Sequence, residues 1–432
     1  MSGKPTIIPR AEHGISRSNI DQNALKVLYR LKDEGYEAYL VGGGVRDLLL
    51  GRQPKDFDIA TNARPEEIKQ IFRNCRLVGR RFRLAHIWFG RDVIEVATFR
   101  APPREDDDGH HEKENGRILR DNVYGTLEED AWRRDFTVNA LYYDIRDFSV
   151  VDYTGGLADL EQGMLRLIGD PERRYREDPV RMLRAARLAV KLGFRLHPDT
   201  EAPIKELGNL LEDIPPARLF DEVLKLFMGG VALQTFECLR HYDLFGFLFP
   251  RTEELLGVET DGFPKRFLTQ ALVNTDIRIS EDKPVTPAFI FAALLWEPLQ
   301  DSIAQLKLQG ISEAEALQIA SAEVVKQHVM NVTIPKRFMI PMREIWQLQP
   351  RLMKNKGKRV FRVLGHPRFR AAYDFLLLRA QAGEDVSEIA DWWTRFQELD
   401  DKERNKLVNA TTNKKKRTRH KRRRIREAND RS

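Results

Sequence analysis

Apolar and polar positions change rhythm along this chain. Up to about residue 155, short apolar runs alternate with helical patterns. Asn23–Asp33 repeats apolar residues at helical spacing, EAYLVGG (37–43) is a short apolar run closed by glycines, and Phe57–Thr61 is strand-like. Pro65–Phe72 opens with proline and glutamates, as helix starts do. His86–Phe89 and Val93–Phe99 alternate apolar and polar residues around Gly90-Arg91-Asp92, which predicts a hairpin. Together these predict an α/β region built on a small mixed sheet. The stretch APPREDDDGHHEKENGR (101–117) has loop composition, and its His110 and His111 read as loop residues rather than metal ligands. Order resumes at LEEDAWRRDFTVNALYYDI, and Gly155-Gly156 marks a boundary.

Beyond Ala158 the rhythm becomes helical, including Pro179–Lys191, Ala217–Met228, Pro287–Trp296 and Ala371–Ala382, with no β-rich run. An all-helical remainder ending near Leu399 is expected. The longest apolar run, near Phe289–Trp296, is far shorter than the roughly 18 to 20 residues that span a bilayer.

Composition sharpens this picture in two places. The 432 residues exceed one ordinary core, and 42% hydrophobic with 32% charged residues is globular. Cys75 and Cys238 are the only cysteines, which excludes a disulfide framework and a zinc cluster; with no secretory leader in MSGKPTIIPRAEHG, a cytoplasmic protein is expected. Net charge is +7, but Lys402–Ser432 alone holds 14 lysines and arginines against three acids, a net of +11, leaving −4 for the rest. Such a tail buries little, so disorder and a sequence-independent grip on nucleic-acid phosphates are expected of it; a protein partner or anionic lipid surface is the alternative.

Four motifs carry candidate chemistry. VGGGVRD (41–47) places glycines after a strand, where backbone amides can approach a phosphate, with Arg46 adding a cation. In PKDFDIAT, strand alternation points Asp56 and Asp58 the same way with Phe57 inward, a spacing at which two carboxylates can hold one or two Mg²⁺ ions. Glu95, on another strand, is a candidate neighbouring acid. RRDFTVNA (133–140) sets two arginines and an acid beside an apolar phenylalanine, suited to holding an anion. In YREDPVRMLRAARLAV, Asp178 suits an N-cap and Pro179 the first helical position; Arg181, Arg184 and Arg187 recur at spacing three, with Val180, Leu183 and Leu188 towards the core.

GGGVRD, KDFD, RRDFTVNA, the Gly-Gly of YTGGLADL and REDPVRMLRAAR, in this order and spacing, resemble the bacterial CCA-adding enzyme and poly(A) polymerase family. LVGRRFRLAHI (77–87), RFRAAYDFLLLRA, DWWTRFQ and the arginine-rich tail are similar to its poly(A) polymerase branch. The resemblance implies an α/β nucleotidyltransferase head at 21–156 after an extension (1–20), a helical neck (157–230), a helical body with a C-terminal RNA-binding region (231–400) and a disordered basic tail (401–432). It implies Asp56 and Asp58 as catalytic metal ligands for Mg²⁺, with Mn²⁺ the alternative, and Asp135 as a third catalytic acid. Gly42, Gly43 and Arg46 are implied to bind the triphosphate, Arg134 to contact the nucleotide, and Asp178 and Arg181 to read the base with Arg184 beside them. The implied partners are ATP, RNA 3′ ends and proteins of RNA degradation or RNA chaperoning, around a monomer. The implied reaction is template-independent transfer of AMP to RNA; CCA addition to tRNA and an inactive RNA-binding homologue are the alternatives.

Overall fold

Strand and helix follow one another from Thr6 in the order that the apolar rhythm predicts. A computed structural model describes residues 4–79, 83–101, 113–114, 117–118, 123–257 and 266–408. The strands are β1 (Thr6–Ile8), β2 (Ala38–Val41), β3 (Asp58–Thr61), β4 (Cys75–Val78), β5 (Leu84–Phe89), β6 (Asp92–Thr98), β7 (Lys113–Glu114), β8 (Arg117–Ile118), β9 (Leu141–Asp144), β10 (Val150–Asp152), β11 (Met164–Leu165) and β12 (Arg195–Leu196). Eight of them form one mixed sheet in the order β1-β10-β9-β2-β3-β6-β5-β4, and within it only β3 and β6 run parallel.

Helix α1 (Gln22–Asp33) starts where the Asp21 carboxylate accepts from the amides of Asn23 and Ala24 at 2.8 and 3.1 Å. Helix α2 (Gly43–Leu49) follows β2 directly, and α3 (Pro65–Ile71) opens on a capping box in which Glu67 accepts from the Arg64 amide at 2.6 Å. Helix α4 (Leu127–Arg133) lays Leu127 and Ala131 over Tyr39, Val41, Ala60 and Tyr142, covering one face of the sheet's middle. Helices α5 (Gly156–Glu161), α6 (Pro171–Glu177) and α7 (Val180–Leu192) complete the N-terminal layer. Val180 and Leu183 are fully buried and Leu188 nearly so, while Arg181, Arg184 and Arg187 share the partly exposed side, as the spacing predicts.

Several expectations change. The chain divides into two compact units, Met1–Leu211 and Glu212–Ser432. In the first, the Tyr175 hydroxyl donates to the Thr200 carbonyl (2.8 Å), and the Leu167 amide to the Thr200 hydroxyl (3.0 Å). Gly156 is packing, not a loose boundary, because a Cβ there would fall on the Thr137 carbonyl. The parallel ladder β11–β12 lies beyond Ala158, where no strand was expected; two-residue strands are too short to leave a pattern. Asp178 does not cap α7 with its carboxylate; its main-chain carbonyl accepts from the Arg181 amide at 3.0 Å. The loop expected at 101–117 and its His110 and His111 lie largely or wholly outside the described residues, except for the ladder β7–β8.

The second unit is helical throughout its described residues. The run expected as one helix over Pro287–Trp296 is two, Pro287–Leu294 and Trp296–Leu308. Pro298 has no amide to offer the Leu294 carbonyl, which instead accepts from the Thr252 hydroxyl at 2.9 Å. Near the C-terminus, Trp393 is fully buried and its indole donates to the Leu352 carbonyl at 2.8 Å. The tail expected from residue 401 starts later. Residues 401–408 are helical, Arg404 donates to the carbonyls of Phe396 and Gln397 at 3.0 and 2.8 Å, and Val408 is buried with Phe396 and Trp393. The disorder expected further on concerns residues 409–432, outside the described residues. No helix among the described residues is long and apolar enough to cross a membrane.

A chain ending at Val408 is therefore expected to unfold at the same urea concentration as the full chain, whereas one ending at Leu399 loses the Val408 and Arg404 contacts and about 2 kcal/mol. Equal midpoints for both truncations would show that residues 401–408 add nothing to the helical core.

Candidate active site

Asp58 is the first residue of β3, and Asp56 lies two residues earlier in the extended lead-in rather than on the strand itself. Phe57 between them is buried and both acids stay exposed, as alternation requires. Glu95 on β6 is the direct cross-strand partner of Asp58. Surrounding protein, then the Glu95 charge and, less strongly, Asp56 push the Asp58 carboxyl up to about 6, with Arg134 pulling the other way. Like charges held this close favour a cation between them.

The glycine turn stands next to this pair. Gly42 has φ +75° and ψ −141°, a conformation that glycine tolerates. A Cβ there would stand 3.7 Å from Arg134 Nη1 and 3.8 Å from Asp58 Oδ2, so a side chain would fill the gap between cation and carboxylate. Gly44 lets α2 approach the aspartate segment, since a Cβ would lie 3.3 Å from the Asp56 carbonyl oxygen.

On the other flank the arginines gather. Arg134 Nε and Nη2 donate to Asp130 Oδ2 at 3.2 and 3.0 Å, Nε also donates to the Tyr142 hydroxyl at 2.9 Å, and the guanidinium lies 5.2 Å from the Tyr142 ring centre. Burial opposes its charge, but Tyr142 and Asp130 hold Arg134 well above its ordinary value. Arg174 on α6 donates to the carbonyls of Arg133 and Arg134 at 2.8 and 2.6 Å. Burial, then Arg100, Arg134, Arg174 and Arg181, lower Arg133 to about 9, and burial and Arg181 lower Arg174 to about 10. Arg100, Arg133, Arg134, Arg174 and Arg181 therefore stand close enough to depress one another's charge, even with Asp130 and Glu177 paired among them.

Three expected ligand contacts take a different form. Arg46 is 4% exposed; its Nε and Nη2 donate to Asp47 Oδ1 at 2.9 and 2.7 Å and its Nη1 to Asn139 Oδ1 at 2.6 Å. It lies beneath the glycine turn, with Nη2 3.3 Å from where a Gly43 Cβ would stand, and supports that turn instead of presenting a cation. Asp135 is committed within the protein: Oδ2 accepts from both Nε (2.8 Å) and Nη2 of Arg184, and Oδ1 accepts from the Phe136 amide at 2.8 Å and Asn139 Nδ2 at 3.4 Å. Burial alone would raise Asp135, but Arg184 outweighs it and holds the carboxyl well below the usual carboxylate range. Asp135 and Arg184 thus form a partly buried ion pair. Arg181 Nη1 donates to the Arg174 carbonyl at 2.6 Å and lies 3.4 Å from Glu177 Oε2, which keeps it next to Asp178 at the junction of α6 and α7.

The spacing of the motifs did not reveal Asn139, Asp130, Tyr142 or Arg174. Asn139 lies inside RRDFTVNA but signals nothing without Arg46 in view; the others acquire roles only through the fold. Among the described residues no cluster of three or more His, Cys, Asp or Glu forms a ready metal cage.

The Asp135–Arg184 pair makes a pH prediction. The folded-state pKa lies below the unfolded value of about 3.9, so its stabilisation is complete above that value and fades as pH falls towards the depressed one. Arg184→Met is expected to cost about 1.5 kcal/mol at neutral pH. Asp135→Asn, followed by urea unfolding at successive pH values, should lose part of the wild-type decline below pH of about 4. An unaltered acid limb in Asp135→Asn would refute the pairing.

Comparison with known proteins places this geometry in a lineage. Residues 38–166 match the profile described as Poly A polymerase head domain, 193–256 that of "Probable RNA and SrmB-binding site of polymerase A", and 309–427 that of Polymerase A arginine-rich C-terminus. The chain is 51% identical over 406 residues to poly(A) polymerase I of Escherichia coli, covering 91% of this chain and 86% of that one. It is 39% identical over 214 residues to the CCA-adding enzyme of Lactobacillus helveticus, covering 50% and 52%. Its fold is similar to that of the Bacillus stearothermophilus CCA-adding enzyme crystallised with CTP, at 28% identity and a TM-score of 0.57, covering 87% and 81%. With three family profiles in register along it and half its residues identical to an enzyme of near-equal extent, the chain belongs to the bacterial poly(A) polymerase family.

Proposed function

We propose that this chain is a template-independent polynucleotide adenylyltransferase, which transfers AMP from ATP to the 3′-hydroxyl of RNA and releases pyrophosphate. The observation that supports it most is the charge layout of the site: exposed acids Asp56, Asp58 and Glu95 on one side of Gly42, and arginines around Arg134 on the other. A nucleoside triphosphate with a divalent cation has the complementary layout. Asp56 and Asp58 would hold Mg²⁺, which when bound lowers the pKa of the attacking hydroxyl and screens the triphosphate.

The chain's own residues supply the rest. Gly42 and Gly43 leave room for phosphate oxygens at the backbone, and Arg134, fixed by Asp130 and Tyr142, faces the charge that develops on the α-phosphate and the leaving pyrophosphate. Asp178 and Arg181 are the base-reading pair, the acid accepting from an exocyclic amine and the arginine donating to the adjacent ring nitrogen. Arg46, Asp135 and Arg184 position these groups without touching the substrate. The basic segment after Val408 holds the RNA through its phosphates.

Adenylyl transfer is favoured over CCA addition by coverage: the poly(A) polymerase relative aligns with nine-tenths of this chain, the CCA-adding one with half. Given unstructured RNA and single nucleotides, the protein is expected to build long tails with ATP alone. Asp58→Ala should cut extension by ~10³-fold while RNA binding stays unchanged. Preferential addition of CTP to tRNA lacking its terminus, or tailing that survives Asp58→Ala, contradicts the reading.

A further inference from the structure

Among the described residues, α4 covers the sheet face that bears Asp58 over its middle strands, and on β6, β5 and β4 that face keeps Glu95, Trp88 and Arg76 exposed. Cross-strand partners form one row along that open face: Asp58 pairs with Glu95, Glu95 with His86, and His86 with Arg76. Ala85, Ile87, Ile94 and Val96 alternate with these residues and are buried, so the row belongs to the opposite, accessible face. His86 Nε2 stands 3.4 Å from Glu95 Oε1, which marks where the row changes from acids to cations.

At the far end the row meets Trp88, two positions along β5 from His86 and 41% exposed. Its backbone is fixed to the edge: the Trp88 amide donates to the Asn74 carbonyl at 3.1 Å, and Asn74 Nδ2 donates to the Trp88 carbonyl at 2.6 Å. Beside it lies a cavity of about 470 Å³ lined by Arg73, Asn74, Cys75, Arg76, Trp88 and Gly90. Arg73 and Arg76 are exposed and make no ion pair among the described residues. An exposed indole flanked by two uncommitted guanidiniums is a stacking platform with a phosphate grip, the combination that binds single-stranded nucleic acid.

We propose that the β4–β5 edge is a binding site for single-stranded RNA, which holds the substrate a few nucleotides upstream of its 3′ end. Trp88 stacks one base, Arg73 and Arg76 take the adjacent phosphates, and the strand runs along the open row towards Asp58. Three strand spacings separate Arg76 from Asp58, about 14 Å, a distance that a short single strand spans. This inference rests on the adenylyltransferase reading for its direction, and on the edge's own chemistry for the binding. It also gives LVGRRFRLAHI a physical part, since Leu77 and Val78 at its start lie on β4 and Leu84–Ile87 at its end lie on β5.

The test uses the full chain with Trp88→Ala, Trp88→Phe and Arg76→Ala, and a fluorescent single-stranded RNA. Trp88→Ala should raise the Kd and the KM for RNA about tenfold and leave the KM for ATP in place, with Trp88→Phe restoring most of the loss. Arg76→Ala should lower the slope of log Kd against log salt by about one. An unchanged Kd in Trp88→Ala, or an equal rise in the KM for ATP, overturns the proposal. Binding is read without turnover. If the wild type binds RNA but does not add AMP, the adenylyltransferase reading fails, while a tenfold weaker Kd in Trp88→Ala still upholds the edge site.

Discussion

The partly buried ion pair between Arg184 and Asp135 is the interaction on which the site depends. Asp135 lies in the segment that follows α4, and Arg184 lies on α7, 49 residues later. Asp135 is the more enclosed of the two, and Arg184 offsets the cost of keeping its charge there. The other oxygen of Asp135 reaches Asn139, Asn139 accepts from Arg46, and Arg46 holds Asp47 under the glycine turn. One continuous polar path therefore sets α7, the arginine segment and α2 relative to one another. Each of these carries residues proposed to touch the nucleotide.

With that frame fixed, like charges can be held together on either side of the glycine turn. The Asp58 carboxyl is raised by burial and Glu95, while Arg133 and Arg174 are lowered by burial and neighbouring arginines. A protein selected only for stability would interleave these groups. Here they are kept apart by Gly42, where a Cβ would begin to fill the gap. The ligand brings the opposite pattern of charge, so each side gains when the other is also occupied.

Local signals carried the sequence reading well where the chemistry was itself local. The helix at α1 follows from apolar spacing, and the paired acids of KDFD follow from alternation about Phe57. The aspartate pair, the glycine turn and the three arginines of α7 were all legible. Roles that depend on distant partners were not. Arg46 looked like a phosphate ligand because its burial against Asn139, 93 residues away, leaves no trace in GGGVRD. Asp135 looked like a metal acid for the same reason. Strands of two to four residues, such as β4 and β11, were missed because their partners, not their own sequence, hold them in place.

The choice of base poses a sharper physical problem. Adenine and cytosine each present an exocyclic amine next to a ring nitrogen, so an acid and an arginine acting as Asp178 and Arg181 would satisfy both. Selectivity must then come from where the pair stands. Arg181 is tied to the Arg174 carbonyl, and Arg174 is tied in turn to the carbonyls of Arg133 and Arg134. The edge proposed to read the base is thus held at a fixed offset from the arginine proposed to face the phosphates. A purine spans more of that offset than a pyrimidine, so a rigid offset can favour adenine with the same two hydrogen bonds. On this view discrimination resides in the backbone contacts of Arg174, which touch no base at all.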